Sequence, residues 1–169
     1  MNHAFVIRTR FRGSRVLVLG LLVSVALAVT PVALSAKSHR FTASYTGKGS
    51  GTVSGTIAAG RATLDGRGKP IGRGTLRGSA HGVFTSRTCV LFSGTAVLKG
   101  TAGSFRLSAR RGRACASGTN PDRVSFSGTA KVSRGTARFN GAHGIVSFHG
   151  TYARKSGAVA ISLSGMLTY

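Results

Sequence analysis

The chain holds few side chains that could perform acid–base chemistry. Its acidic residues are Asp65 and Asp122, and it has no Glu. Catalysis by paired carboxylates needs two acids facing one bond. Asp65 precedes Gly66 and Asp122 follows Pro121, and these contexts predict turn-forming residues. Because no Gly-x-Ser-x-Gly nucleophile elbow occurs either, the sequence predicts no catalytic residue and a protein that is not an enzyme.

The histidines beyond residue 36 are the candidate metal ligands, and they are His39, His81, His143 and His149. The last two are six residues apart, so on one regular strand they would face the same side. With His81 they could form a metal site, but carboxylate ligands are scarce. We therefore interpret them as surface or hydrogen-bonded residues and expect no metal and no cofactor.

The two cysteines of the chain, Cys89 and Cys115, can form one intramolecular disulfide. In an exported protein the compartment permits this bond, and the loop that it closes would give about 3 to 4 kcal/mol of stability. Two buried free thiols are the alternative. Without a paired set of histidines, two cysteines do not predict a zinc site.

Arginines are concentrated next to the second cysteine, in the segment Arg110-Arg111-Gly112-Arg113. Guanidinium groups match the geometry of phosphate and carboxylate. We therefore hypothesise an anion-binding site made by Arg110, Arg111 and Arg113, with Arg106 adjacent, on a loop held by the disulfide. The alternative is an exposed, solvated turn.

Residues 1–36 are typical of a secretory signal peptide. Four Arg residues precede an almost unbroken apolar run from Val16 to Val29, and small residues follow at 33–36. These features predict cleavage after Ser35 or Ala36 and a secreted or envelope-associated protein. The alternative is an uncleaved anchor, because residues 16–34 could span a bilayer. No second apolar run of that length follows, so cleavage would leave no transmembrane span.

Residues 37–169 form one strongly basic segment of the size of a single domain. Without the four Arg of the signal segment, 20 of the 24 Lys and Arg residues remain against two Asp, which gives a net charge of +18. Such a field attracts polyanions, so the partners that we expect are an anionic envelope polymer or an acidic glycan. Nucleic acid is disfavoured, because the Phe residues alternate with polar neighbours like core residues rather than exposed stacking platforms.

Short alternating stretches broken by glycine fill the chain after residue 36. They run through 41–45, 51–57, 61–64, 71–80, 83–85, 88–98, 104–109, 124–132, 136–139, 145–152 and 159–169, and a turn is predicted at 65–70. Alternation with period two predicts half-buried strands. About eight to ten strands with short connections predict an all-β fold, a single antiparallel β-barrel. A sandwich and a β-solenoid are the alternatives.

One internal repeat is visible, because Phe92-Ser-Gly-Thr-Ala96 recurs as Phe126-Ser-Gly-Thr-Ala130. Each copy is followed by Gly-Thr-Ala and then by a Phe, Phe105 in the first copy and Phe139 in the second. Two copies indicate a duplicated pair of strands rather than the longer array expected of a solenoid.

The segment Gly135-Thr-Ala-Arg-Phe-Asn-Gly-Ala-His-Gly144 resembles the Gly-Thr-Gly-x-Phe-x-Gly-Ala-x-Gly turn of the dirigent and allene oxide cyclase-like barrels. Ala137 stands where that pattern has its second glycine, and no catalytic residue carries over. The resemblance implies a barrel in which Phe139 packs inward. The signal, the Gly- and Thr-rich strands and the cysteine pair also resemble small exported proteins of high-GC actinobacteria.

From these observations we expect an exported, non-enzymatic β-barrel that acts at or outside the cell envelope and interacts with anionic polymers or surfaces. A barrel that binds a small ligand or acts as a cyclase is the second interpretation. An apolar cavity would support it, and a lumen filled by Phe, Leu and Val would oppose it. A structural envelope protein is the third.

Overall fold

The computed structural model describes residues 37–169, which form a closed antiparallel barrel. The strands are β1 Ser38–Ser54, β2 Ile57–Lys69, β3 Gly72–Phe84, β4 Cys89–Gly100, β5 Gly103–Ala116, β6 Arg123–Ala137, β7 His143–Ala153 and β8 Ala158–Thr168. Each strand pairs with the next, and β1 also pairs with β8. The predicted single antiparallel barrel is confirmed, and the sandwich and the solenoid are excluded.

Alternation along each strand produces the barrel wall. In β1, Phe41, Ala43 and Tyr45 are buried, whereas Thr42 and Ser44 between them are exposed. Successive side chains of a strand point to opposite faces, so the apolar set faces inward and the hydroxyl set faces water. Every strand is hydrogen-bonded to two neighbouring strands, and all eight strands lie within residues 38–168. The barrel therefore closes without any other segment.

The predicted turn at 65–70 is wrong for most of its length. Residues 65–69 belong to β2, where Asp65 pairs with Thr46 on one side and Thr75 on the other. The predicted single stretch 51–57 is instead a hairpin, which turns at Gly55 with a φ of 58°. Gly66 and Gly68 look like turn formers in the sequence, but both pair with β1 and β3. Glycine is needed at position 66 because a Cβ there would clash with the Ser44 carbonyl oxygen.

The strands are strongly staggered around the barrel. Ladder partners followed once around all eight strands lead from Gly49 of β1 back to His39 of the same strand, ten residues away. A closed barrel requires this stagger, because its strands tilt relative to the axis.

The two ends of the barrel differ in the connections that they carry. One end, which we call the closed end, carries connections 70–71, 101–102 and 138–142. The other end, which we call the mouth, carries connections 55–56, 85–88, 117–122 and 154–157.

A chain of aromatic rings fills the closed end. Phe105 makes edge-to-face contacts with Phe41 and Phe139, with ring centroids 5.5 and 5.4 Å apart, and Phe139 contacts Tyr169 at 5.0 Å. Ile71, in the β2–β3 connection, is fully buried beside them. Phe139 lies in the 138–142 connection and is fully buried, so its predicted inward packing is confirmed. These contacts seal one end of the barrel.

Candidate ligand-binding lumen and basic outer surface

Small side chains line the barrel interior on the mouth side of this core. The ladder joins Gly49 of β1, Ala62 of β2, Gly78 of β3 and Ala96 of β4 in one row across four strands, and all four line the same cavity. An interior of an eight-stranded barrel is normally just filled by its side chains. With hydrogen atoms and methyl groups in these positions, the lumen keeps a cavity of about 520 Å³.

The larger lumen residues lie against the wall rather than across the opening. A Cβ on Gly112 would come within 2.3 Å of the Phe92 ring, one on Gly128 within 2.8 Å of the Phe148 ring, and one on Gly150 within 2.5 Å of the Phe126 ring. In each case the ring covers a glycine that is its ladder partner on the neighbouring strand. Glycine thus gives each ring room to lie flat, and the cavity keeps an apolar, partly aromatic wall.

At the inward-facing positions of the cavity, polar side chains occur at the mouth and not at the centre. Among residues 37–169 no charged side chain is buried. The cavity is lined near the mouth by Tyr152, at the end of β7, and by Arg154, in the β7–β8 connection. The lumen therefore offers an apolar interior with a hydroxyl and a guanidinium at its entrance.

Tyr45 lies below the cavity, and its ring is fully buried. Its hydroxyl has no hydrogen-bond partner within the described part of the chain. Burial raises the pKa of Tyr45 to about 12, because the phenolate would lose its hydration.

An exposed ion pair lies at the mouth. Asp122 Oδ2 is 2.7 Å from Lys155 Nζ, and the hydrogen bond and charge of Asp122 raise the pKa of that ammonium. The Asp122 backbone NH also donates to Asn120 Oδ1, which confirms the predicted turn.

The predicted disulfide between Cys89 and Cys115 is confirmed. The two residues are directly opposed in the β4–β5 ladder, next to the mouth. Arg113 lies over the bond: its Nε donates to Cys115 Sγ at 3.2 Å, and a terminal guanidinium nitrogen donates to Cys89 Sγ at 3.6 Å. The disulfide therefore joins the first residue of β4 to the second-last residue of β5.

The four arginines of the hypothesised anion site are all exposed, but they do not lie on one loop. All of them belong to β5, and Arg110 and Arg111 occupy a bulge between Ala109 and Gly112 where the ladder to β6 shifts register. The predicted loop is therefore a bulged strand. At about 3.3 Å per residue, Arg106 and Arg113 are about 23 Å apart along β5, which is too far for one compact site.

The structure brings Arg106 to a different group of cations. A depression of about 660 Å³ on the outer face of β1–β5 is lined by four basic residues, which are Lys48, Arg61, Arg77 and Arg106. We call these four residues the basic groove. Lys48, Arg77 and Arg106 lie in one row across alternate strands, so neighbouring cations are about 10 Å apart. Lys48 Nζ also donates to the Ser156 carbonyl oxygen at 2.8 Å.

The histidines are dispersed around the barrel. His143 and His149 are both exposed on regular β7, as their spacing predicts. His81, on β3, lies 3.2 Å from Ser93 Oγ, and His39 stacks on Tyr169 with centroids 4.6 Å apart. Within residues 37–169 no group of three or more His, Cys, Asp or Glu side chains converges on a metal position.

Sequence reasoning missed the basic groove and the hollow half of the lumen. Both depend on strand register, which aligns residues from strands that are far apart in the chain. The sequence does carry a signal for the cavity, because Gly and Ala recur at alternate positions, as in Ala58, Gly60 and Ala62. Such a strand presents only small side chains on one face.

Comparisons of the chain with protein-family models, with curated proteins and with solved structures find no match. In the part of the chain from Lys37 onward, no helix has the length and apolar character needed to cross a bilayer.

Proposed function

We propose that the barrel binds a small lipid-like ligand, with an apolar chain in the lumen and an anionic head at the mouth. The observation that carries this proposal is the cavity of about 520 Å³. Its volume lies within the range of about 300 to 1,000 Å³ that is usual for small-molecule sites. Burial of apolar ligand surface against the Phe and Ala wall supplies the affinity.

The chemistry of the mouth selects the head group. Arg154 can pair with a carboxylate or phosphate through a charge-assisted hydrogen bond, and the Tyr152 hydroxyl can donate a second one. Within the described chain neither carboxylate lies in the lumen, because Asp65 faces outward on β2 and Asp122 pairs with Lys155. The proposal is therefore binding without chemical turnover.

The place of action that we propose is outside the cytoplasm. The signal-like residues 1–36 support export, and so does the Cys89–Cys115 disulfide, because such bonds persist in oxidising compartments. Residues 1–36 lie outside the described residues. Amino-terminal sequencing of the exported protein tests this part: a start at Ala36 or Lys37 supports cleavage, and a start at Met1 overturns it.

The binding test uses residues 37–169, which contain every ladder of the barrel, after a cooperative thermal transition has been recorded. The probe is a dansyl-labelled medium-chain fatty acid, and its fluorescence should rise to saturation at one probe per barrel. The double variant Ala62→Leu, Ala96→Leu fills the lumen and should weaken binding about tenfold or more. The control Thr63→Leu, Thr95→Leu adds the same side chains at exposed outward positions.

Arg154→Gln provides the second arm of this test. It should weaken binding of the fatty acid and leave the matched fatty alcohol unaffected, because only the carboxylate uses the guanidinium charge. Equal binding by the lumen-filled variant and its outward control would refute the lumen as the site. Equal loss of acid and alcohol in Arg154→Gln would refute the assigned head group.

A second candidate function is binding of an anionic polymer to the outer wall. The basic groove supports it, because four exposed cations surround one depression that neither Asp65 nor Asp122 lines. An envelope polymer or an acidic glycan is a partner of matching charge. This binding would use the outer face and would leave the lumen free.

A further inference from the structure

The outer surface beside the mouth carries a stripe of exposed apolar side chains. Ile57 of β2, Val83 of β3 and Leu91 of β4 are direct ladder partners, so they lie side by side across three strands. They are 56%, 53% and 51% exposed. We call these three residues the apolar rim.

Cations lie at the same end of the barrel as the apolar rim. Arg87 lies in the 85–88 connection, Arg123 begins β6, and Arg154 and Lys155 lie in the 154–157 connection. All four are exposed. Asp122, the acid at this end, is already paired with Lys155. Apolar side chains and cations at one end of a barrel match the interface of a bilayer with an anionic surface, where the apolar side chains enter the headgroup region and the cations meet the lipid charges.

We propose that the mouth docks on an anionic lipid bilayer and that the lumen takes its ligand directly from it. The inference rests on the proposed lumen function, because an amphipathic ligand is stored in membranes and the lumen opens at the same end as the apolar rim. In the docked position, a lipid-like molecule moves from the bilayer into the barrel with little exposure of its chain to water. The closed end faces away from the membrane.

The test measures flotation of residues 37–169 with vesicles of phosphatidylcholine containing phosphatidylglycerol, and with vesicles of phosphatidylcholine alone. The wild type should float with the anionic vesicles and much less with the neutral ones. The rim variant Ile57→Ser, Val83→Ser, Leu91→Ser should reduce the bound fraction about tenfold. The control Ile145→Ser, Met166→Ser removes a similarly exposed apolar ladder pair near the closed end and should bind as the wild type does.

Charge is tested in the same way. Arg87→Ser, Arg123→Ser at the mouth should weaken flotation several-fold more than Arg73→Ser, Lys99→Ser at the closed end, although both variants lose two charges. Equal losses in the two pairs would overturn docking by the mouth and indicate general attraction by a basic protein.

The dansyl fatty acid assay separates this proposal from the lumen function. Absence of wild-type flotation with saturable probe binding would overturn docking and leave the lumen function standing. Flotation without probe binding would refute the lumen function and leave only the docking surface. A dimer in solution that the rim variant abolishes would also overturn docking, because it would assign the apolar rim to a second copy of the chain.

Discussion

At the scale of single residues, the buried hydroxyl of Tyr45 links stability to pH. The pKa of Tyr45 is about 12 in the folded barrel and about 10 in an unfolded chain. Between these values the unfolded chain releases the proton and the folded chain keeps it, so the free energy of unfolding falls as pH rises from about 10 to 12 and is unaffected below that range.

Tyr45→Phe tests this link, because it removes both the titrating proton and the hydroxyl that has no partner in the described chain. The variant should be more stable than the wild type by about 1 kcal/mol at pH 7. The difference should widen by about 2 kcal/mol between pH 10 and pH 12. Denaturant unfolding at these pH values measures both effects, and a constant difference would contradict the assigned pKa.

Ala137 occupies a backbone conformation that favours glycine. Its φ is 52°, and the left-handed region costs a residue with a Cβ about 1 to 2 kcal/mol. Ala137→Gly should therefore raise the free energy of unfolding by about 0.5 kcal/mol, after the greater entropy of glycine in the unfolded chain is subtracted. Ala160→Gly, at an exposed position within β8, is the control and should lower it. A loss of stability in both variants would contradict the backbone strain assigned to Ala137.

At the scale of elements, the disulfide holds the mouth ends of β4 and β5 together across a sequence separation of 26 residues. The double variant Cys89→Ser, Cys115→Ser should lower the free energy of unfolding by about 3 kcal/mol, chiefly because the unfolded chain gains conformational entropy when the cross-link is removed. Thermal unfolding measures the loss. Dithiothreitol should produce the same loss in the wild type and none in the variant, and an unchanged transition would show that the ladder alone holds these ends.

Strand character could be predicted from the sequence, but strand ends could not. Alternation identified the apolar face of most strands, and Phe139 was correctly expected to face inward. Asp65, Gly66 and Gly68 carry a turn signal locally and still lie in β2, because both neighbouring strands offer ladder partners there. The sequence likewise predicts a loop at Arg110 and Arg111, because only the pairing of the flanking Ala109 and Gly112 with β4 and β6 keeps this bulge within a strand.

Register also explains why the candidate site could be predicted only in part. The disulfide involves one neighbouring pair of strands and could be predicted. The sequence predicts Arg106 beside the other β5 arginines, whereas the structure places it in the basic groove. The basic groove needs Lys48, Arg77 and Arg106 in one row across β1, β3 and β5, and the cavity needs the inward residues of all eight strands. The stagger of a closed barrel sets those rows, and it is a property of the whole ladder.

At the scale of the whole molecule, the excess of positive charge is the dominant electrostatic property. It predicts attraction to any polyanion, with a strength that falls steeply with salt. Binding at a specific site on the outer wall must therefore be distinguished from nonspecific attraction by the net charge. Two sets of three arginines provide the comparison, because their removal changes the net charge equally while only one set belongs to the basic groove.

The groove variant replaces with Ser the residues Arg61, Arg77 and Arg106, and the bulge variant replaces those of the original hypothesis, Arg110, Arg111 and Arg113. If the groove is the polyanion site, the groove variant should weaken binding to heparin about tenfold more than the bulge variant at about 0.1 M salt, and should show the smaller salt dependence. Heparin affinity across a salt series measures this, with neutral dextran as the control ligand. Equal losses would assign polyanion binding to net charge, and a larger loss in the bulge variant would return the site to the β5 arginines beside the disulfide.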